Sequence, residues 1–112
     1  MRSGFPRSVR LRKRRDFVAV QSAGRKLGGK HFVVLVASGD GRLGITVSKK
    51  VGNAVTRNRV KRFVREFVRT AAAAGRTWSL AGRDVVVVAR PSAATLGFAG
   101  IAADLTRLGE RL

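Results

Sequence analysis

Residues 46–69 read TVSKKVGNAVTRNRVKRFVREFVR, a strand-like run that passes through a glycine turn at Gly52 into a long stretch of helical periodicity. At about 100° per residue, Val60, Phe63, Val64, Phe67 and Val68 fall within one arc. Arg57, Lys61, Arg65 and Arg69 climb an adjacent arc at i, i+4 spacing. The helix therefore packs inward on one face and presents charge on the other. Asn53 and Thr56 are both able to cap its first turn by accepting backbone N–H bonds. Ala71 to Ala74 extend it at little cost in propensity, and Gly75 supplies a stop. Its cations, together with Lys49 and Lys50 before it, face a single acid, Glu66. Acidic i, i+4 partners are missing, so the charge is directed at an outside polyanion rather than at the helix itself. Arginine offers forked donors for phosphate oxygens, lysine a point charge, and Asn58 both a donor and an acceptor for a base edge or a 2′-hydroxyl.

The rest of the composition points the same way. The chain has 112 residues, 45% of them hydrophobic, and a formal net charge of +18 from 24 basic and 6 acidic side chains. Such a chain can bury a core without staples, but its self-repulsion calls for a polyanionic partner. Nucleic acid fits better than a membrane surface, because the cations are spread over several segments instead of one helix with a broad aromatic face. Cysteine is absent, which removes disulfides and thiolate chemistry and suits a reducing compartment. The basic N-terminal segment is not followed by an apolar stretch, and no run approaches about 18 apolar residues. A cytoplasmic protein that does not enter the membrane is expected.

On the N-terminal side, residues 1–9 read as a mobile basic arm. A first helix is expected from about Arg12, with Phe17, Val18, Val20 and Gln21 near helical spacing and Gly24 as its stop. Arg25 to Lys30 read as a loop, and Phe32 to Ala37 as a buried strand. Ser38-Gly39-Asp40-Gly41 reads as a turn and Leu43 to Ser48 as a second strand, so the pair predicts a hairpin. On the C-terminal side, Trp78 falls in a connecting loop. Val85 to Ala89 have no polar alternation and fit a central strand covered on both faces. Phe98, Ile101, Leu105, Leu108 and Leu112 form the apolar stripe of a last helix. The sum is one α+β domain over residues 1–112, with helices packed on a small sheet.

Candidate catalytic groups are sparse. Asp16, Asp40, Glu66, Asp84, Asp104 and Glu110 are spread singly and His31 is the one histidine. Paired carboxylates, a nucleophile with its base, or a metal-ligand set are what a hydrolase site needs. None is legible, so protein-borne catalysis is not expected, and Asp84 and Asp104 read as structural. Phe17 has two readings: a stacking platform for a single-stranded base beside Arg12, Lys13 and Arg14, or a core residue.

The run GITVSKKVGNAVTRNRVKRFVREFVR, residues 44–69 with Arg57-Asn58-Arg59 at its middle, resembles the RNR motif of the bacterial ribonuclease P protein subunit. RLRKRRDF at 10–17, Phe32-Val33-Val34 and RDVVVVARP at 83–91 resemble the same family's flanking segments. The resemblance implies a central sheet of about four strands with a left-handed βαβ crossover, similar to ribosomal protein S5 domain 2. It implies a subunit of a ribonucleoprotein endonuclease that removes the 5′ leader from precursor tRNA, with catalytic Mg2+ held mainly by the RNA subunit. The protein, a monomer on its own, would bind that RNA and the leader and help at low magnesium. By the same resemblance Lys49, Lys50, Asn53, Arg57, Asn58, Arg59, Lys61, Arg62 and Arg65 would face the RNA subunit. Arg12, Lys13 and Phe17 would line a leader-binding cleft, in which Gln21 stands where a second aromatic is expected. The alternative is a ribosomal or other structural RNA-binding protein, since small basic α+β domains are common there.

Overall fold

The computed structural model describes residues 14–75 and 78–112, so the predicted arm at 1–9 lies outside the described residues. Helix α1 spans Arg14–Ala23, strand β1 Arg25–Gly28, β2 Phe32–Ser38 and β3 Leu43–Thr46. Helix α2 spans Ala54–Ala73, strand β4 Arg83–Ala89, a 3-10 turn Pro91–Thr95, and helix α3 Phe98–Gly109. The sheet order is β1-β2-β4-β3, with β1 and β4 antiparallel to β2 and β3 parallel to β4.

β4 lies at the heart of the sheet, as its unbroken valine run predicts. Val85, Val86 and Val87 are fully buried. Val85 and Val87 point into the larger core, where Val60, Val64 and Val68 of α2 meet Ile101, Leu105 and Leu108 of α3. Val86 points to the opposite face and packs with Leu35 and with Val20 of α1. The molecule thus has three layers, with α1 on one side of the sheet and α2 and α3 on the other.

The predicted hairpin is not formed. β2 and β3 are both paired to β4, which lies between them. The reason is a buried carboxylate at the start of β4. Asp84 accepts backbone N–H bonds from Asp40 (3.2 Å) and Arg42 (3.0 Å), and a further bond from the Arg42 guanidinium at 3.0 Å. The turn after β2 wraps this carboxylate instead of folding back on β2, and Val85 N–H then donates to Arg42 O at 2.9 Å. Gly39 is needed in this turn because an added Cβ would come within 2.3 Å of Asp84.

The fourth strand, β1, occupies residues read as a loop. Only Leu27 of its four residues is buried, so its sequence carries no alternating pattern. A short, charged edge strand of this kind resists pairing with other chains. Trp78, also read as a loop residue, is buried at 1% exposure and donates from Nε1 to Leu105 O at 2.8 Å. Its ring meets Phe67 edge-on with centroids 6.1 Å apart, closing the end of the core between α2 and α3. Asp104, equally buried, accepts the backbone N–H groups of Lys30 and His31 and fixes the turn between β1 and β2.

Burial is the largest influence on the Asp84 carboxyl and opposes ionisation. The Arg42 guanidinium and the N–H bonds from Arg42 and Asp40 together outweigh it and hold the carboxyl below its ordinary value of 3.8. With the folded value depressed, the unfolded chain takes up the proton first. The stabilisation is therefore complete above pH 3.8 and is lost as the pH falls through the lower folded value. Asp84→Asn is expected to cost about 2 kcal/mol at pH 7 and to flatten the acid limb of stability below pH 3.8. Urea midpoints of both proteins at pH 7 and across the acid limb check this.

Candidate nucleic-acid interface

The cap of α2 is built first. Val51, buried at 5% exposure, anchors the loop after β3, and its N–H donates to Ser48 O at 3.0 Å. That turn leaves Lys49 and Lys50 exposed. Of the two possible caps, Asn53 is the one used. Its Oδ1 accepts from Thr56 N at 2.9 Å, and its backbone is extended as a capping residue requires. Asn53 therefore serves the helix with its side-chain oxygen and leaves its amide nitrogen to solvent. No acid occupies the first turn, so the positive end of the helix dipole is uncompensated.

Around this helix start the predicted cations gather. Arg57 folds back and donates from Nε to Gly52 O at 3.1 Å. Arg59 reaches the other way and donates to Ala94 O in the 3-10 turn. Arg62 lies over the ring of Phe63 at 5.4 Å from its centroid. Asn58 and Arg62 are exposed, while Lys61 and Arg65 are half-buried on the flank that continues from Arg57. Glu66, the one acid of α2, is paired with Arg69 near the helix end. Positive charge is thus concentrated in the cap loop and the first half of α2. Carbonyl tethers hold Arg57 and Arg59 by one donor each; Arg59 Nε is buried, and the donors left for an outside acceptor are the remaining terminal nitrogens.

The second predicted feature lies across the sheet. Arg14, Phe17, Val18 and Gln21 of α1 and Thr46 of β3 line an open groove of about 410 Å³. Phe17 packs on the cluster of Val20, Leu35 and Val86 and also lines the groove. The roll of α1 is fixed by Asp16, which pairs with Arg42 at 3.5 Å, so the same arginine joins α1 to Asp84. Arg12 and Lys13, predicted beside Phe17, lie outside the described residues. Val18 and Thr46 were not legible as groove residues. Val18 is an apolar residue that stays 46% exposed, and Thr46 joins only because α1 leaves the β3 edge uncovered.

The acids and the histidine are taken up elsewhere. Asp84 and Asp104 each accept backbone N–H bonds, and His31 Nδ1 meets Ser92 Oγ at 2.8 Å. The carboxylate next to His31 binds its backbone and not its ring, so the serine–histidine contact lacks the orienting third group of a nucleophilic site. Among the described residues, no group of three His, Cys, Asp or Glu side chains is arranged to hold a metal ion.

A family model described as Ribonuclease P matches residues 5–112. The chain belongs to the ribonuclease P protein family. Among its curated relatives, the ribonuclease P protein component of Geobacter sp. is 41% identical over 98% of this chain and 93% of that protein. That of Brevibacillus brevis is 40% identical over 94% of this chain and 83% of the relative. Among solved structures, the ribonuclease P protein of Staphylococcus aureus superposes with a TM-score of 0.79 at 30% identity, covering 92% of this chain and 94% of that one. The protein from Thermotoga maritima gives a TM-score of 0.78 at 34% identity, covering 92% and 96%. As a ribonuclease P protein component the chain is part of a ribonucleoprotein of tRNA processing, with the ribonuclease P RNA as its partner. The ribosomal alternative has no support from these relatives.

The capping geometry separates two asparagines of the motif. Asn53→Ala is expected to lower stability by about 1 kcal/mol, whereas Asn58→Ala, exposed and outside the cap, stays within about 0.5 kcal/mol of the parent. Chemical denaturation of the two variants distinguishes them.

Proposed function

We propose that the cap loop and first half of α2 dock on the ribonuclease P RNA, and that the groove between α1 and β3 takes the single-stranded 5′ leader of precursor tRNA. The observation that carries the docking reading is the row of cations around a helix start that holds no acid, with Arg57 and Arg59 held by carbonyls and not by carboxylates. Lys49, Lys50 and Arg62 add exposed charge to the same surface. For the groove, Phe17 offers a ring, Gln21 and Thr46 offer hydrogen-bonding groups and Arg14 a charge. A base there would stack on one aromatic and bond laterally to polar neighbours.

Hydrolysis of a phosphodiester needs an activated water and a stabilised leaving oxygen. The described residues do not fit a magnesium site, because the buried carboxylates already accept backbone N–H bonds and stand apart from each other. In this reading the ions belong to the RNA subunit, and the protein's own residues bind and orient. A protein that supplies positive charge beside the catalytic RNA reduces the number of ions needed to screen its phosphates.

Addition of the chain to a bacterial ribonuclease P RNA at low magnesium is expected to stimulate cleavage of precursor tRNA, and absence of stimulation would sink the proposal. Arg57→Ala and Arg62→Ala are each expected to lower the slope of log affinity for the RNA against log salt by roughly 0.7 to 0.9. Phe17→Leu keeps an apolar side chain on the sheet while removing the ring. It is expected to weaken binding of leader-bearing precursor by about 1–3 kcal/mol and to leave mature tRNA unaffected, with equal losses for both arguing against a leader role.

A further inference from the structure

The turn between β1 and β2, residues 28–31, gathers cations that the α2 surface does not use. Arg90, just past β4, donates from Nε to Gly29 O at 3.1 Å. Arg111, just past α3, donates from one terminal nitrogen to Gly28 O at 3.2 Å. Two guanidinium groups are thus brought to consecutive carbonyls. Arg107, with its side chain 64% exposed, reaches Asp104 at 3.3 Å. That carboxylate is buried, also accepts the N–H groups of Lys30 and His31, and offsets one of the positive charges gathered here. Lys30 is exposed, and Glu110 makes no ion pair among the described residues.

Beyond these contacts, crowding like charges around one turn works against folding, since their mutual repulsion opposes it. What the arrangement does provide is two guanidinium forks, Arg90 and Arg111, fixed by neutral carbonyls, with donors left over for an external anion. The cluster is also continuous with the α2 surface. The 3-10 turn Pro91–Thr95 joins them, since Arg59 donates to Ala94 O on one side and Ser92 Oγ meets His31 Nδ1 on the other.

We propose that Lys30, Arg90, Arg107 and Arg111 form a second phosphate-binding surface, which grips an RNA backbone as it continues from α2 across the 3-10 turn. This rests on the reading that α2 is RNA-bound. Forked guanidiniums match phosphate oxygens in pairs. The cluster holds no asparagine, glutamine or large aromatic to read a base, so it grips RNA irrespective of sequence. The backbone it grips is that of the ribonuclease P RNA, the RNA on which α2 docks.

The test uses Arg107→Gln and Arg111→Gln, singly and together, with the paired Arg→Lys variant and Arg62→Ala as references and thermal melts as a fold control. Affinities are measured over a salt series, in one arm for the ribonuclease P RNA alone and in the other for precursor tRNA binding to the assembled holoenzyme. The double Gln variant is expected to lower the log–log salt slope by roughly 1.4 to 1.8 and to weaken binding roughly 20-fold at 0.15 M salt, while the Lys pair keeps most of the slope. A loss in the first arm bears the proposal out, and a loss confined to the second overturns it in favour of a grip on precursor tRNA. Unchanged slopes in both arms with Arg62→Ala still impaired overturn the second surface and leave the α2 reading standing. Unchanged slopes for every variant, Arg62→Ala included, overturn both. A loss that the Lys pair shares, accompanied by a lowered melting temperature, overturns the proposal in favour of a structural role.

Discussion

The carboxylate of Asp84 is the constraint on which the architecture turns. Burying it at the start of β4 is tolerable only because the loop after β2 closes around it with two backbone N–H groups and a guanidinium. That closure carries the chain away from β2 and leaves a strand's width for β4. The same arginine reaches Asp16 and so sets α1 against the sheet. One buried acid thereby decides the strand order and the walls of the groove.

The second constraint is electrostatic. A chain of net charge +18 folds because its apolar residues fill both faces of β4, while its cations stay at the rim of the layers. Side-chain entropy is the usual obstacle to a strong arginine contact. Here Arg57, Arg59, Arg90 and Arg111 are already restrained by backbone carbonyls. Less freedom remains to be lost when a phosphate arrives, and no carboxylate has to be displaced from these four groups.

What the sequence reveals follows from how far a signal extends along the chain. α2 and α3 are legible because their apolar stripes repeat over several turns and end at Gly75 and near Gly109. β4 is legible because a strand buried on both faces reads as an unbroken valine run. β1 escapes notice because one buried leucine makes no pattern, and Trp78 because burial of a loop residue depends on elements distant in sequence. The hairpin expectation fails for a related reason. Ser38 to Gly41 have the chemistry of a turn, but which strand lies next to β2 is settled by a carboxylate more than forty positions away. Of the interface, the α2 cations are visible as a dense local run. The cations of the β1–β2 turn are not, since Lys30, Arg90 and the pair Arg107 and Arg111 come from three separate places and meet only in the fold.

β3 connects the two proposed surfaces. Its residues alternate between the faces of the sheet, so Ile45 joins the core under α2 while Thr46 lines the groove beneath α1. Only Val47 and Ser48 separate Thr46 from Lys49 and Lys50, a path of roughly 10 Å in extended chain. An RNA held on α2 and a single strand held in the groove would therefore approach each other around this one edge. No large side chain stands there on the groove face, since Gly44 precedes Thr46 on that side of the strand. A precursor tRNA leader passing the docked RNA at that edge would meet Thr46 first and Phe17 beyond it. Cations at the edge and a ring deeper in the groove suit a strand whose phosphates remain outside while its bases turn inward.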